Sequence, residues 1–150
     1  MNSKVFISLL SMWFFCTSCR LQQPVVRQGI FGKVTYISGN QMPSPDKRGK
    51  SVDKGVVRWL AIYELTDSKQ VSGQAPMYTQ VRSKLVTRVQ SDAEGQYKCS
   101  LYPGRYSVFV EENNEFFANS IDNEGYIASV QVKTKTVTEL NIRINYKALY

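Results

Sequence analysis

The sequence predicts an all-β protein, an antiparallel two-sheet Greek-key sandwich of about seven strands. Three observations predict it. Apolar and polar residues alternate with period two through most of the chain after residue 28, Gly, Pro, Asn and Asp punctuate the alternating runs, and no run of helical period is long enough to compete. Short strands of this kind, in roughly 120 residues, bury their apolar faces most simply as two packed sheets. A chain of 150 residues, 43% hydrophobic and 21% charged, has the composition of an ordinary globular protein with room for about one domain.

Ile30, Gly32, Val34 and Tyr36 alternate with Lys33 and Thr35, and Ser38-Gly39-Asn40 ends this first strand. A loop with Pro43, Pro45 and Gly49 follows. Residues 56–65, VVRWLAIYEL, are nearly continuously apolar and rich in Val, Ile, Trp and Tyr, which predicts a central strand covered on both faces. Residues 66–77 are polar with Gly73 and Pro76 and read as a loop; residues 84–91 are a third strand, with 78–81 as its extension. Asp92-Ala93-Glu94-Gly95 is a turn with Gly where positive φ is cheap, leading into residues 96–101 with Tyr97, Cys99 and Leu101 on one face. Pro103-Gly104 occupies the centre of a type II turn, so Gly104 takes positive φ and Gly104→Val costs about 1–2 kcal/mol. Tyr106, Val108 and Val110 then alternate, and the three strands around these two turns form a meander. Phe116-Phe117-Ala118 is a short edge strand. A second Asp-x-Glu-Gly turn, Asp122 to Gly125, precedes Tyr126, Ala128, Val130 and Val132, and Leu140, Ile142, Ile144 and Tyr146 alternate with Asn141, Arg143 and Asn145 in the last strand.

The N-terminus has a separate logic. Lys4 supplies one positive charge and residues 5–16 are apolar apart from Ser8 and Ser11. Twelve helical residues cover about 18 Å, short of the roughly 30 Å of a hydrocarbon core, so this is the h-region of an export signal rather than a spanning anchor. It ends in Cys16-Thr17-Ser18-Cys19, which resembles the bacterial lipoprotein signal, in which small residues precede an acylated cysteine. The resemblance makes residues 1–18 a signal peptide, Cys19 the lipidation site and residues 19–28 a lipidated tether before a sandwich domain at 29–150. An ordinary secretory peptide cut nearby is the alternative. Acyl chains, at about 0.8 kcal/mol per buried CH₂, hold a domain on a membrane without a spanning helix.

Removing residues 1–18 removes one of 19 basic side chains and none of the 12 acidic ones, leaving a net charge of +6. The cluster Lys47, Arg48, Lys50 and Lys54 is interleaved with Asp46 and Asp53 and reads as a solvated loop, with attraction to anionic headgroups as a weaker second reading and no nucleic-acid partner. With Cys16 lost and Cys19 acylated, Cys99 is alone and the domain has no internal disulfide.

The span from Gly32 to Tyr146 resembles the carboxypeptidase regulatory-like domains of Bacteroidetes lipoproteins. The resemblance is carried by Gly32-Lys33-Val34, by the Gly39 to Asp46 stretch, by Ile62-Tyr63-Glu64-Leu65-Thr66, by Lys84-Leu85-Val86, by Ser91-Asp92-Ala93-Glu94-Gly95-Gln96-Tyr97 and by Leu101-Tyr102-Pro103-Gly104-Arg105-Tyr106-Ser107-Val108. It implies a transthyretin-like sandwich, immunoglobulin-like in general architecture, used as an accessory or interaction module. These motifs are turn residues and inward aromatics, so they specify a fold and no reaction.

The chain contains no His, which excludes Ser-His-Asp and Cys-His relays and HExxH zinc sites. Cys99 reads as a small core residue, and Glu111, Glu112, Glu115, Asp122 and Glu124 as solvated turn charge; no metal site or cofactor is expected. The aromatics Tyr102, Phe109, Phe116, Phe117 and Tyr126 are core or exposed, with core preferred. Phe116 and Phe117 carry the candidate binding site, together with Asn119, Asp122 and Asn123. Adjacent residues of a strand face opposite sides, so one ring enters the core and the other is either covered by a loop or exposed for recognition.

The expected function is that of a non-catalytic, lipid-anchored envelope module at the outer membrane, facing the periplasm and contacting a protein partner. Binding of a small molecule or glycan through loop aromatics is the alternative.

Overall fold

The computed structural model describes residues 27–40 and 53–149. They form the expected all-β sandwich of two sheets. The first sheet is built around β1 (Gly29–Asn40), which is flanked on one side by β7 (Gln96–Ser100) and β2 (Lys54–Gly55), both antiparallel to it. On its other side lie β11 (Val137–Glu139) and β12 (Ile142–Leu149), both parallel to β1. This sheet is therefore mixed. β1 also continues through Ser38-Gly39-Asn40, where the sequence suggested a stop, because β12 keeps pairing with it after a register shift between Tyr36 and Ser38.

The second sheet is wholly antiparallel. It contains β3 (Trp59–Glu64), β4 (Val71–Gln74), β5 (Met77–Val81), β6 (Leu85–Gln90), β8 (Gly104–Glu112), β9 (Glu115–Phe117) and β10 (Ser129–Val132). Its order is β4-β5-β9-β8-β3-β6, with β10 on the first half of β8. β3 is central and buried on both faces, as its apolar run predicts: Leu60 and Ile62 face the first sheet, while Ala61 and Tyr63 lie under a second apolar cluster with Phe109 and Tyr78. The inter-sheet core joins Ile30, Val34 and Ile144 of one sheet to Leu60, Val110 and Phe117 of the other.

The meander of three consecutive strands is not formed. β6 pairs with β3, β7 with β1, and β8 with β3, so the chain changes sheets at each connection. Residues 66–77, expected to be a loop, contain a 3-10 turn (Ser68–Gln70) with a capping box and then β4, which makes a hairpin with β5. Phe116 and Phe117 sit between β8 and β5 rather than at an edge. Gly104 opens β8 without positive φ, and a Cβ there would meet the Tyr106 ring no closer than 3.4 Å. The strain expected for Gly104→Val is therefore absent.

The two Asp-x-Glu-Gly turns are built alike. Asp92 Oδ1 accepts from the amides of Glu94 at 3.1 Å and Gln96 at 2.7 Å, and Asp122 Oδ1 accepts from those of Glu124 and Tyr126, each at 2.9 Å. Each turn is closed by the glycine amide, Gly95 to Asp92 O and Gly125 to Asp122 O, and both glycines have positive φ, +82° and +88°. The short polar side chain captures the amides the turn leaves unpaired.

Candidate functional site

The N-terminal signal, Cys19 and most of the tether lie outside the described residues, as do Lys47, Arg48 and Lys50. The aromatic pair does place its rings on opposite faces. Phe117, 1% exposed, enters the inter-sheet core, while Phe116 packs edge-on against Tyr63 and Phe109 at centroid distances of 6.0 and 6.3 Å. Phe117 is covered, while Phe116 is half-buried against the second apolar cluster, which leaves the recognition reading one partly exposed ring. Asn119 is exposed, but its amide donates to Arg143 O at 3.2 Å and Asn145 Oδ1 at 3.3 Å. Asp122 is occupied on both oxygens, with Oδ2 taking the Ser129 hydroxyl at 2.5 Å and Arg105 Nη2 at 2.9 Å. These bonds, the Ser129 one foremost, hold its carboxyl below the usual range. Asn123 remains an exposed turn residue. Asn119 and Asp122 thus anchor the loop that follows β9, with their side-chain groups turned to protein partners.

Of the other carboxylates read as solvated turn charge, Glu111, Glu112 and Glu124 are ion-paired. Glu112 is 4% exposed, ion-paired with Arg58 Nε and hydrogen-bonded at 3.0 Å by the Tyr146 hydroxyl, which ties β8 to β12 across the two sheets. Burial first, and then the bond to Glu112, pushes the Tyr146 phenol up to about 12, so it serves as a neutral donor. Glu111 pairs with Arg88, which lies over the Trp59 ring, and Glu124 pairs with Arg105 at 2.6 Å. Truncating Arg58 leaves a buried carboxylate with the Tyr146 hydroxyl for a partner. Arg58→Ala is therefore expected to cost about 2–3 kcal/mol in urea unfolding, discounted because Arg58 is itself one-third exposed, and adding Glu112→Gln should restore part of the loss.

Cys99 is buried, and burial pushes its thiol up, which makes it an unreactive core residue. Among the described residues no group of three or more His, Cys, Asp or Glu side chains could hold a metal ion.

A different face carries an open groove. The outward residues of β1, Phe31, Lys33 and Thr35, line this groove of about 640 Å³ on the outer face of the first sheet, with Asp53, Glu139 and Arg143 among its walls. Its polar groups are held in place. Asn141 Oδ1 accepts from the Lys33 amide at 2.9 Å, Asn141 Nδ2 donates to Glu139 Oε1 at 2.8 Å, and Arg143 Nη2 donates to Asp53 Oδ1 at 2.9 Å. One ring, two cations, two carboxylates and amide groups on a hydrogen-bonded sheet suit recognition of a polar ligand; the groove holds no nucleophile activated by a neighbouring base. Sequence reading passed over these residues because the polar alternates of a strand look like ordinary solvated positions. The signal that could have found them was the repetition of such alternates, Lys33 and Thr35 in one strand and Asn141 and Arg143 in another, once the two strands are known to be neighbours.

No protein-family model matches this chain, and neither the curated proteins nor the solved structures contain a significant match.

Proposed function

We propose that the protein is a non-catalytic binding module of the carboxypeptidase regulatory-like type, anchored in the bacterial cell envelope through lipid on Cys19, that takes an extended segment of a partner protein on the outer face of its first sheet. The observation that carries this reading is the groove of about 640 Å³ with its fixed, mixed charges. Lys33 on β1 beside Glu139 and Arg143 of the neighbouring strands spreads charge of both signs along an open sheet face, which suits an extended polypeptide better than a compact small molecule. Glycan binding is the second reading, favoured by the Phe31 ring lying among amide groups.

Two measurements test it. Fatty-acid labelling should mark the wild type and not Cys19→Ala, and equal labelling would remove the anchor. A photo-crosslinking residue at Lys33 should capture a defined envelope protein. Arg143→Ala should reduce that capture at least about tenfold without moving the melting temperature by more than a few degrees. Capture unaffected by Arg143→Ala would remove the groove as the binding face, and binding to a glycan array in its place would select the second reading.

A further inference from the structure

The chain enters the sandwich at one end, and Gln28 knots that end together. Its side chain donates to Leu101 O at 2.9 Å and accepts from the Lys135 amide at 2.9 Å, while the next amide, Gly29, donates to Thr136 O at 3.1 Å. Three segments, 27–29, 100–104 and 132–136, thereby form a single surface. It carries Arg27, Lys133 and Lys135, all exposed, and these segments contain no Asp or Glu. Tyr102 stands out from this surface, 85% exposed, with its carbonyl held by the Tyr106 hydroxyl at 2.9 Å. Beside it opens a recess of about 460 Å³ lined by Arg27, Gln28, Ser100, Leu101 and Tyr102.

We propose that this end docks on an anionic lipid bilayer, with the Tyr102 ring in the headgroup layer and Arg27, Lys133 and Lys135 over the phosphates. An aromatic ring with a polar tip and a set of cations with no carboxylate among them are the chemistry that a membrane interface favours. The proposal rests on the Cys19 anchor for delivery. Arg27 lies eight residues beyond Cys19, a span of at most about 28 Å, so the anchor keeps this end beside the bilayer. The opposite end of β1, Asn40, lies 12 residues or roughly 36 Å of strand away from this surface. Docking would orient the domain, so that the groove on the outer face of the first sheet stands at the side rather than against the membrane.

The test uses the lipidated full chain reconstituted in vesicles of phosphatidylcholine, with and without phosphatidylglycerol. Tyr102→Trp should add a fluorescence component that is blue-shifted and quenched by headgroup-proximal spin-labelled lipid in the anionic vesicles, while the parent protein shows no such component. Replacing Lys133 and Lys135 together by Gln should lower the ratio of docked to free protein roughly 30-fold, and added salt should lower it further. Melting curves of the variants check that the fold is kept. An introduced indole that stays unquenched in both lipids overturns the proposal, as does a loss of quenching that follows Lys47, Arg48 and Lys50 substitutions in place of Lys133 and Lys135. If the chain carries no fatty acid, it is added to the same vesicles in soluble form. Quenching confined to anionic vesicles then upholds the surface without its anchor, and none overturns the surface as well.

Discussion

Phe117→Ala is expected to destabilise the domain by about 4 kcal/mol, a fall in melting temperature of roughly 15 °C. Phe117 is among the largest fully buried side chains, and it packs against the Tyr146 ring at a centroid distance of 5.9 Å between the two sheets. Its neighbours belong to hydrogen-bonded strands on both sides, β8 and β5, so the structure has little freedom to collapse into the space left behind. Phe116→Ala, on the opposite face and half-buried, should cost about half as much, through lost contact with Tyr63 and Phe109. Because the two rings lie in different clusters, the double variant should be near the sum of the two. Urea unfolding of the three variants measures this, and a Phe117→Ala midpoint equal to wild type would contradict the core placement.

The second large effect separates two turns that look the same. Gly95→Ala should cost at least about 3 kcal/mol and Gly125→Ala only about 1 kcal/mol. The residues share positive φ and the same Asp-x-Glu-Gly sequence, so the backbone strain of an Ala is common to both. The difference is in what surrounds them. A Cβ on Gly95 would stand 2.2 Å from Val34 O and 3.0 Å from Gly55 Cα, whereas one on Gly125 meets nothing within 4 Å. Main chain cannot rotate away as a side chain can, so β1 would have to move, and with it the bond from the Val34 amide to Gly95 O at 2.8 Å. Thermal melts of the two variants side by side decide it; equal shifts would mean that only the shared strain matters.

These turns also mark where sequence reading succeeds and where it stops. Positive φ at Gly95 and Gly125 was legible because an Asp followed three residues later by Gly is a local device, complete within five residues. The partner of the strand that follows is not local. A turn between two sheets and a turn within one have the same residues here, which is why β6, β7 and β8 read as neighbours although β7 lies in the other sheet. The alternation of β12 and the apolar run of β3 were plain, yet the parallel pairing of β1 with β12 has no sequence mark, since either direction buries the same alternate side chains. Burial of Glu112 was hidden for the opposite reason. In the run Glu111-Glu112-Asn113-Asn114-Glu115 every residue looks solvated, and only Arg58 and Tyr146, both distant in sequence, make the interior tolerable for a charge. The groove residues needed the same missing knowledge, because they line one surface only when β1 and β12 lie side by side.

That side-by-side arrangement also governs time. The first strand is the middle of its sheet, and much of what completes it comes last: the Lys33 amide finds its acceptor 108 residues later, and β12 is the final described strand. Pairings so far apart must close a long loop before any bond rewards it, which places folding in the slow, non-local regime of milliseconds to seconds. During synthesis at about 5–20 residues per second, β1 therefore waits several seconds without its neighbour, apolar alternation and open edges included. The domain cannot grow outward from its N-terminus; it assembles when the last strand arrives, and until then there is no finished core to resist being threaded through a pore, which suits the export proposed for this chain.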